Sequence, residues 1–285
     1  MQIGSYTVEL LSEGRFEIFK DGHINRSLNE VSSSSDIENA ITQTHLEVGI
    51  NPVLLQKGDY NILLDTGLGW GLDAGSSYSN ISNICTNLAI FELTPEDITH
   101  VFLSHLHYDH VAGSSYTDEN QQTQPTFPNA QYYVHQKEWE YALSQVDVNS
   151  AFYDTNYQLD EFYRLVADGY IHFLTGQTNE IIDGLRIIQT GGHTPGHQII
   201  KIKSDGEIAY FLGDLVPSST QLNHHKVSTK DTNELDVKRE KVHLLNKAYK
   251  EEAILLFYHS TFGRAGRLIR DEDKRFILGD IPFKG

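Results

Sequence analysis

The segment Val101-Phe102-Leu103-Ser104-His105-Leu106-His107-Tyr108-Asp109-His110 offers three imidazoles and a carboxylate within six residues. Neutral imidazoles and carboxylates are the ligands that zinc and neighbouring divalent metals accept. The Val/Phe/Leu run before them reads as a buried strand, so His105 emerges at its carboxyl end and His107, Asp109 and His110 lie in the loop beyond. Solvent-exposed histidines at a strand end are the competing reading, and they fit one or two such residues better than a His-x-His-x-Asp-His cluster.

Other candidates share this setting. Ile62 to Leu64 precede Asp65, Ile187 and Ile188 precede His193, Tyr210 to Leu212 precede Asp214, and Ile254 to Tyr258 precede His259. Side chains at the ends of buried strands can converge on one sheet edge, each held by a rigid element, as a metal site requires. Gly191-Gly192 and Pro195-Gly196 would let the chain bend sharply around His193.

This order of motifs resembles the metallo-β-lactamase superfamily: Asp65 in Leu64-Asp65-Thr66-Gly67, the His105 cluster, His193 in Gly192-His193-Thr194-Pro195-Gly196-His197, Asp214 in Leu212-Gly213-Asp214, and His259 after Tyr258. The resemblance runs from Asn51 to His259 and implies an αβ/βα four-layer sandwich in the α/β class, formed by residues 1–285 as one domain. Sequence pattern alone gives only a mixed α and β protein.

Carried over residue by residue, the resemblance implies two divalent metal ions, zinc by preference with manganese, iron or cobalt as alternatives. His105, His107 and His193 would hold one; Asp109, His110 and His259 the other; Asp214 would bridge. A hydroxide shared by the ions would attack an ester or lactone carbonyl, with Asp109 and Asp214 as the carboxylates at the reacting centre. Asp65 is implied as the residue that hydrogen-bonds the ligand loop, against a plain turn aspartate. His197 fits either a supporting or a structural role, and His135, at the start of a helix, a structural one.

The Gly213-Asp214-Leu215-Val216-Pro217 context and the chain length resemble the lactonase-like branch, which includes acyl-homoserine-lactone lactonases and phosphotriester hydrolases. Those lactonases carry a tyrosine three residues after the bridging aspartate, where this chain has Pro217. Tyr108, Tyr258 or His225 would then have to assist at the substrate. Phosphotriester hydrolysis is the alternative activity, followed by a glyoxalase-II-like thioesterase. Iron-dependent redox relatives form a different class. Flavodiiron proteins carry glutamate where His107 stands, and sulfur dioxygenases lack part of the second ligand set.

Composition bounds the partners. Twenty-two basic against 39 acidic residues give a net charge of −17, which opposes binding to nucleic acid or anionic membranes and favours a small-molecule substrate. No apolar run is long enough for a membrane span. The single cysteine, Cys85, excludes an internal disulfide and fits a packed residue in a reducing compartment. Met1-Gln2-Ile3-Gly4 lacks secretory features, so a cytoplasmic location is expected; a homodimer is compatible with all of this.

Strands are expected at Tyr6 to Leu11 and Phe16 to Phe19, joined at Ser12-Glu13-Gly14, and a hairpin at Lys57-Gly58-Asp59. Helices are expected at Ile81 to Phe91, after Thr94-Pro95, at Lys137 to Ser144, at Asp160 to Ala167, and at Leu235 to Tyr249 with Val242, Leu245 and Tyr249 on one stripe. Loops at Gly71 to Ser79, Ser114 to Phe127, Phe152 to Tyr163 and Ser218 to Lys226 would shape a pocket, their aromatic residues serving either as its wall or as ordinary packing.

Overall fold

The computed structural model describes residues 1–19, 24–26, 45–69, 83–146, 156–223, 228 and 230–280, with the backbone alone at 17–19, 24–26, 45–46 and 83. His224, His225 and the Gly71 to Ser79 loop lie outside the described residues, as do parts of the loops from Phe152 and Ser218.

The first half contains β1 (Gln2–Ile3), β2 (Tyr6–Leu10), β3 (Gly14–Phe19), β4 (Ile24–Arg26), β5 (His45–Ile50), β6 (Val53–Lys57) and β7 (Tyr60–Leu64). Next come α1 (Asn83–Ile90), β8 (His100–Phe102), α2 (Tyr108–Val111), β9 (Ser115–Thr117), β10 (Thr123–Pro125) and β11 (Gln131–His135). Then follow α3 (Gln136–Gln145), α4 (Phe162–Ala167), β12 (Ile171–Leu174), β13 (Thr178–Ile182), β14 (Leu185–Gln189), β15 (Gln198–Ser204) and β16 (Glu207–Phe211). The chain continues with α5 (Glu234–Lys250), β17 (Ile254–Leu256), β18 (Ala265–Arg270) and β19 (Phe276–Gly279). One seven-stranded sheet has the order β1-β2-β6-β7-β8-β11-β12, and a second runs β13 to β19 in sequence; β4-β3-β5 form a small third sheet.

Strand alternation builds four layers. Val53, Leu55, Ile62, Leu64 and Phe102 of the first sheet share a core with Ile200, Ile202, Ala209, Phe211, Ile254 and Leu256 of the second. The intervening residues face outward: Leu54, Leu63, Val101 and Leu103 pack with Ile84, Leu88, Ala142 and Phe162. On the far side Ile199, Tyr210 and Leu255 pack with Val237, Leu244, Leu245 and Ala248 of α5. Because side chains alternate with a period of two, each central strand is apolar on both faces. The four-layer αβ/βα sandwich follows. Phe102, fully buried and stacked on Tyr133 with centroids 5.0 Å apart, sits at the centre of the inter-sheet core. Phe102→Ala should therefore lower the unfolding free energy by about 3–5 kcal/mol, seen as a lower urea midpoint with unchanged slope.

The structure adds the strand partners and changes one expectation, in α5. The segments joined at Ser12-Glu13-Gly14 do not pair with each other; β2 pairs with β1 and β6, whereas β3 pairs with β4 and β5. The Glu13 carboxylate accepts the Leu68 N–H at 2.7 Å, anchoring the chain where it leaves one sheet for the other. In α5 the buried stripe is Val237, Lys241, Leu244, Leu245 and Ala248, while Val242 and Tyr249 are 40% and 39% exposed. Contact with the sheet selects the 237-241-244-245-248 face. The pattern through 242, 245 and 249 shares only Leu245 with it.

β7 and β8 run parallel, as do β16 and β17, and two antiparallel pairings through β15 orient β14 like β16. The carboxyl ends of these strands thus deliver Asp65, His105, His193, Asp214 and His259 to one end of the sandwich. No described helix is long and apolar enough to cross a membrane.

Candidate metal centre

Three groups of side chains meet there: His105, His107 and His193; His105, His110 and Asp214; and Asp109, His110 and His259. His107 Nδ1 lies 2.9 Å from His105 Nε2 and 3.2 Å from His193 Nε2. On the other side His110 Nε2 and His259 Nε2 are 3.2 Å apart, and Asp109 Oδ2 is 3.5 Å from His259 Nε2. Asp214 stands between the groups. Its Oδ1 is 3.4 Å from His110 Nε2 and 3.2 Å from His259 Nε2, while its Oδ2 is 3.4 Å from His193 Nε2.

The outer ring nitrogens fix which lone pairs point inward. His110 Nδ1 donates to the Asp65 carboxylate at 2.7 Å, His193 Nδ1 to Asp231 at 2.7 Å, and His259 Nδ1 to the Gly49 carbonyl at 2.9 Å. Ser104 Oγ gives its proton to Asp65 Oδ2, so it accepts from His105 Nδ1 at 3.0 Å. With Nδ1 protonated in each ring, the four Nε2 atoms are bare acceptors. In their neutral forms His110 and His259 therefore aim lone pairs at each other, and Asp214 Oδ1 is buried without a hydrogen-bond partner. A divalent cation would satisfy such a set, since imidazole nitrogens and carboxylate oxygens are its donors.

The electrostatics separate the two clusters, favouring neutral rings in the first and positive charge in the second. Burial and the surrounding imidazoles hold His105 and His107 well below the usual histidine range, keeping them neutral. Burial opposes charge on His110 and His259 as well, but the Asp214 and Asp109 carboxylates outweigh it and raise both. Burial likewise works against Asp214, and His259, His110 and His193 overcome it, holding its carboxyl well below the usual range.

Several of the clustered side chains are braced from behind. Asp65, fully buried at φ 58°, accepts from Ser104 N at 2.6 Å and Ser104 Oγ at 2.7 Å as well as from His110. Asn51 Nδ2 donates to the carbonyls of Tyr258 and Ser260 on either side of His259. His197 Nε2 accepts the Asp214 N–H at 3.0 Å, and its Nδ1 is 2.8 Å from Thr190 Oγ1. Gly213, at φ 49°, permits that approach, since a Cβ there would lie 2.7 Å from His197 Nε2. His135 caps α3, accepting the Lys137 N–H at 3.2 Å, away from the cluster.

The two described pocket candidates, Tyr258 and Tyr108, fare differently. Tyr258 is fully buried; its ring stacks on His110 at 4.0 Å and its hydroxyl donates to the Asp109 carbonyl at 2.6 Å. It backs the cluster rather than facing an opening. Tyr108 is half-buried at the start of α2, its N–H held by the Asn156 carbonyl at 2.7 Å. Cys85, within α1, packs against the outer core, and burial pushes its thiol up.

Sequence reasoning missed Asp231, Asn51, Ser104 and Glu138. Asp231 sits in a polar stretch with no periodic signal. Glu138 carried one, since it shares the buried face of α3 with Ala142.

A four-layer sandwich with a His/Asp cluster at its strand ends defines a class of metal-binding folds. Residues 46–257 match the metallo-beta-lactamase superfamily, and the chain belongs to it. Among curated relatives, an N-acyl homoserine lactonase of a Bacillus species is 27% identical over 111 residues, 39% of this chain and 35% of that protein. One from Bacillus thuringiensis is 27% identical over 112 residues, with the same coverage of 39% and 35%. The match thus spans about a third of the length of these relatives. A probable metal-dependent hydrolase from Staphylococcus aureus superposes with a TM-score of 0.74 at 25% identity, covering 99% of this chain and 100% of its own. The hydrolase AbOPH of the beta lactamase superfamily (TM-score 0.76, 22% identity) and AidC, a dizinc quorum-quenching lactonase (0.73, 20%), each cover 100% of this chain and 97% of their own, and share its fold.

Proposed function

We propose that this chain is a two-metal hydrolase of neutral esters or lactones, with zinc as the metal. The observation that carries the reading is Asp214, whose two carboxylate oxygens face separate nitrogen clusters at 3.2–3.4 Å. His105, His107 and His193 would hold one ion and Asp109, His110 and His259 the other. When bound, such a pair supplies a hydroxide nucleophile near neutral pH and a Lewis acid for a carbonyl oxygen. The chain's own residues do the positioning: Asp65, Asp231 and the Gly49 carbonyl keep Nδ1 protonated on His110, His193 and His259, and His197 orients the Asp214 backbone. Ligands drawn from both halves support one domain over residues 1–285.

The lactonase relatives favour a lactone or ester, and Pro217 occupies the place of the tyrosine that lactonases carry. Its carbonyl accepts the His259 N–H at 2.8 Å, so this segment braces a ligand. The Tyr258 hydroxyl is committed to the Asp109 carbonyl, and Tyr108, within the His105–His110 segment, is the residue we assign to assist the substrate. A net charge of −17 supports a small neutral substrate over nucleic acid.

The test is a screen of zinc-reconstituted protein against lactones, aryl esters, thioesters, phosphotriesters and β-lactams, with metal content measured in parallel. We expect two metals per chain and lactone or aryl-ester hydrolysis that chelation abolishes. Phosphotriester cleavage alone would move the substrate assignment to that class. Metal-dependent oxygen consumption without hydrolysis would refute the hydrolase reading.

A further inference from the structure

Among the described residues outside the two clusters, Glu138, in the first turn of α3, is a buried carboxylate that accepts four hydrogen bonds. It is 0% exposed and takes no part in either nitrogen cluster. Its Oε1 accepts the Leu106 N–H at 3.0 Å and the Tyr157 hydroxyl at 3.3 Å. Its Oε2 accepts the Thr194 hydroxyl at 2.6 Å and the Gly196 N–H at 3.2 Å.

These four donors are not scattered. Leu106 lies between His105 and His107, while Thr194 and Gly196 follow His193. The ring of Tyr157 packs edge-on against His107 with centroids 4.9 Å apart. One carboxylate therefore ties together the two loops that carry all three imidazoles of the first cluster, and also the aromatic wall behind one of them. The fit is tight on the His193 side: a Cβ on Gly196 would lie 2.1 Å from Glu138 N, so this loop meets the start of α3 backbone to backbone. The second cluster is braced by other residues, namely Asp65, Asn51 and Tyr258.

We infer that Glu138 is a positioning residue that sets the spacing of the His105, His107 and His193 imidazoles, and thereby the metal affinity of that site and not of the other. This rests on the two-metal reading above. The carboxylate is needed as such, because all four partners donate. In Glu138→Gln the amide nitrogen must oppose either the Leu106 N–H or the Gly196 N–H, and neither backbone group can turn away. One loop is then released.

Two single-site backgrounds test this. His259→Ala disables the second cluster and His193→Ala the first; zinc affinity in each is measured by competition with a chromophoric chelator. Adding Glu138→Gln to His259→Ala should weaken the remaining ion by about 10–100-fold, the usual cost of losing an outer partner of metal ligands. Adding it to His193→Ala should leave the remaining ion's affinity unchanged. Equal weakening in both backgrounds would show only general destabilisation and overturn the inference, as would no weakening in either. If Glu138→Gln does not fold, Thr194→Val, which removes only the 2.6 Å hydroxyl link, takes its place with the same asymmetry expected at smaller size. If native protein binds no zinc, the two-metal reading itself fails. Two zinc ions in native protein with no asymmetry would reject Glu138 alone.

Discussion

Asp214→Ala should lose both bound ions to below one metal per chain and reduce hydrolysis by far more than the 10–100-fold that removal of an outer partner costs. The carboxylate is the one group whose oxygens reach both clusters, Oδ1 toward His110 and His259 and Oδ2 toward His193. Removing it leaves each ion short of a ligand and takes one negative charge from a centre crowded with imidazoles. Asp214→Asn separates the two effects. It keeps the shape and one acceptor oxygen, so one cluster should retain its ion while the other loses it. His135→Ala is the control, because that side chain caps α3 and bonds the Gly176 carbonyl, outside both clusters. Metal content by elemental analysis and turnover on the best substrate of the screen give the readout. Turnover near the native level in Asp214→Ala would remove the bridging role.

The clustering of the His and Asp side chains was legible in the sequence because His105, His193, Asp214 and His259 follow apolar runs and His107, Asp109 and His110 follow His105 closely, and strand ends are where an αβ/βα sandwich can gather side chains. The supports were mostly not. Asp231 reaches His193 across 38 positions of chain and Asn51 brackets His259 from the other half, pairings that no local period encodes. Glu138 is intermediate, since helical phase places it on the buried face of α3, yet a glutamate in a first helical turn also reads as a solvated charge. The fold shows the same division. Alternation gave the strands, but which sheet β3 joins is decided by its long-range pairing with β5. The outward phase of Val242 and Tyr249 on α5 is set by the sheet beneath, not by the spacing of apolar residues.

Asp65 should separate folding from metal binding when substituted in two ways. It is fully buried at φ 58° and accepts three hydrogen bonds, two from Ser104 and one from His110 Nδ1. Asp65→Ala leaves those donors unpaired in the interior, at a cost of about 3–5 kcal/mol. It also forces a residue with a Cβ but no local hydrogen bond into the left-handed region, adding roughly 1–2 kcal/mol. The unfolding midpoint should fall steeply. Asp65→Asn tolerates the same backbone and keeps the packing, so it should fold. Its amide has two orientations. With the oxygen toward Ser104 N–H, the NH2 group meets His110 Nδ1, which must become an acceptor; His110 then carries its proton on Nε2, the atom that faces His259 and Asp214. With the amide reversed, its NH2 opposes the Ser104 N–H across a 2.6 Å contact, and reversal is disfavoured. The protonated Nε2 cannot ligate a metal. A folded Asp65→Asn chain should therefore bind zinc at the His105, His107 and His193 cluster and lose about 10–100-fold in affinity at the other. Native affinity at both sites in Asp65→Asn would show that the Asp65 contact does not fix the His110 tautomer.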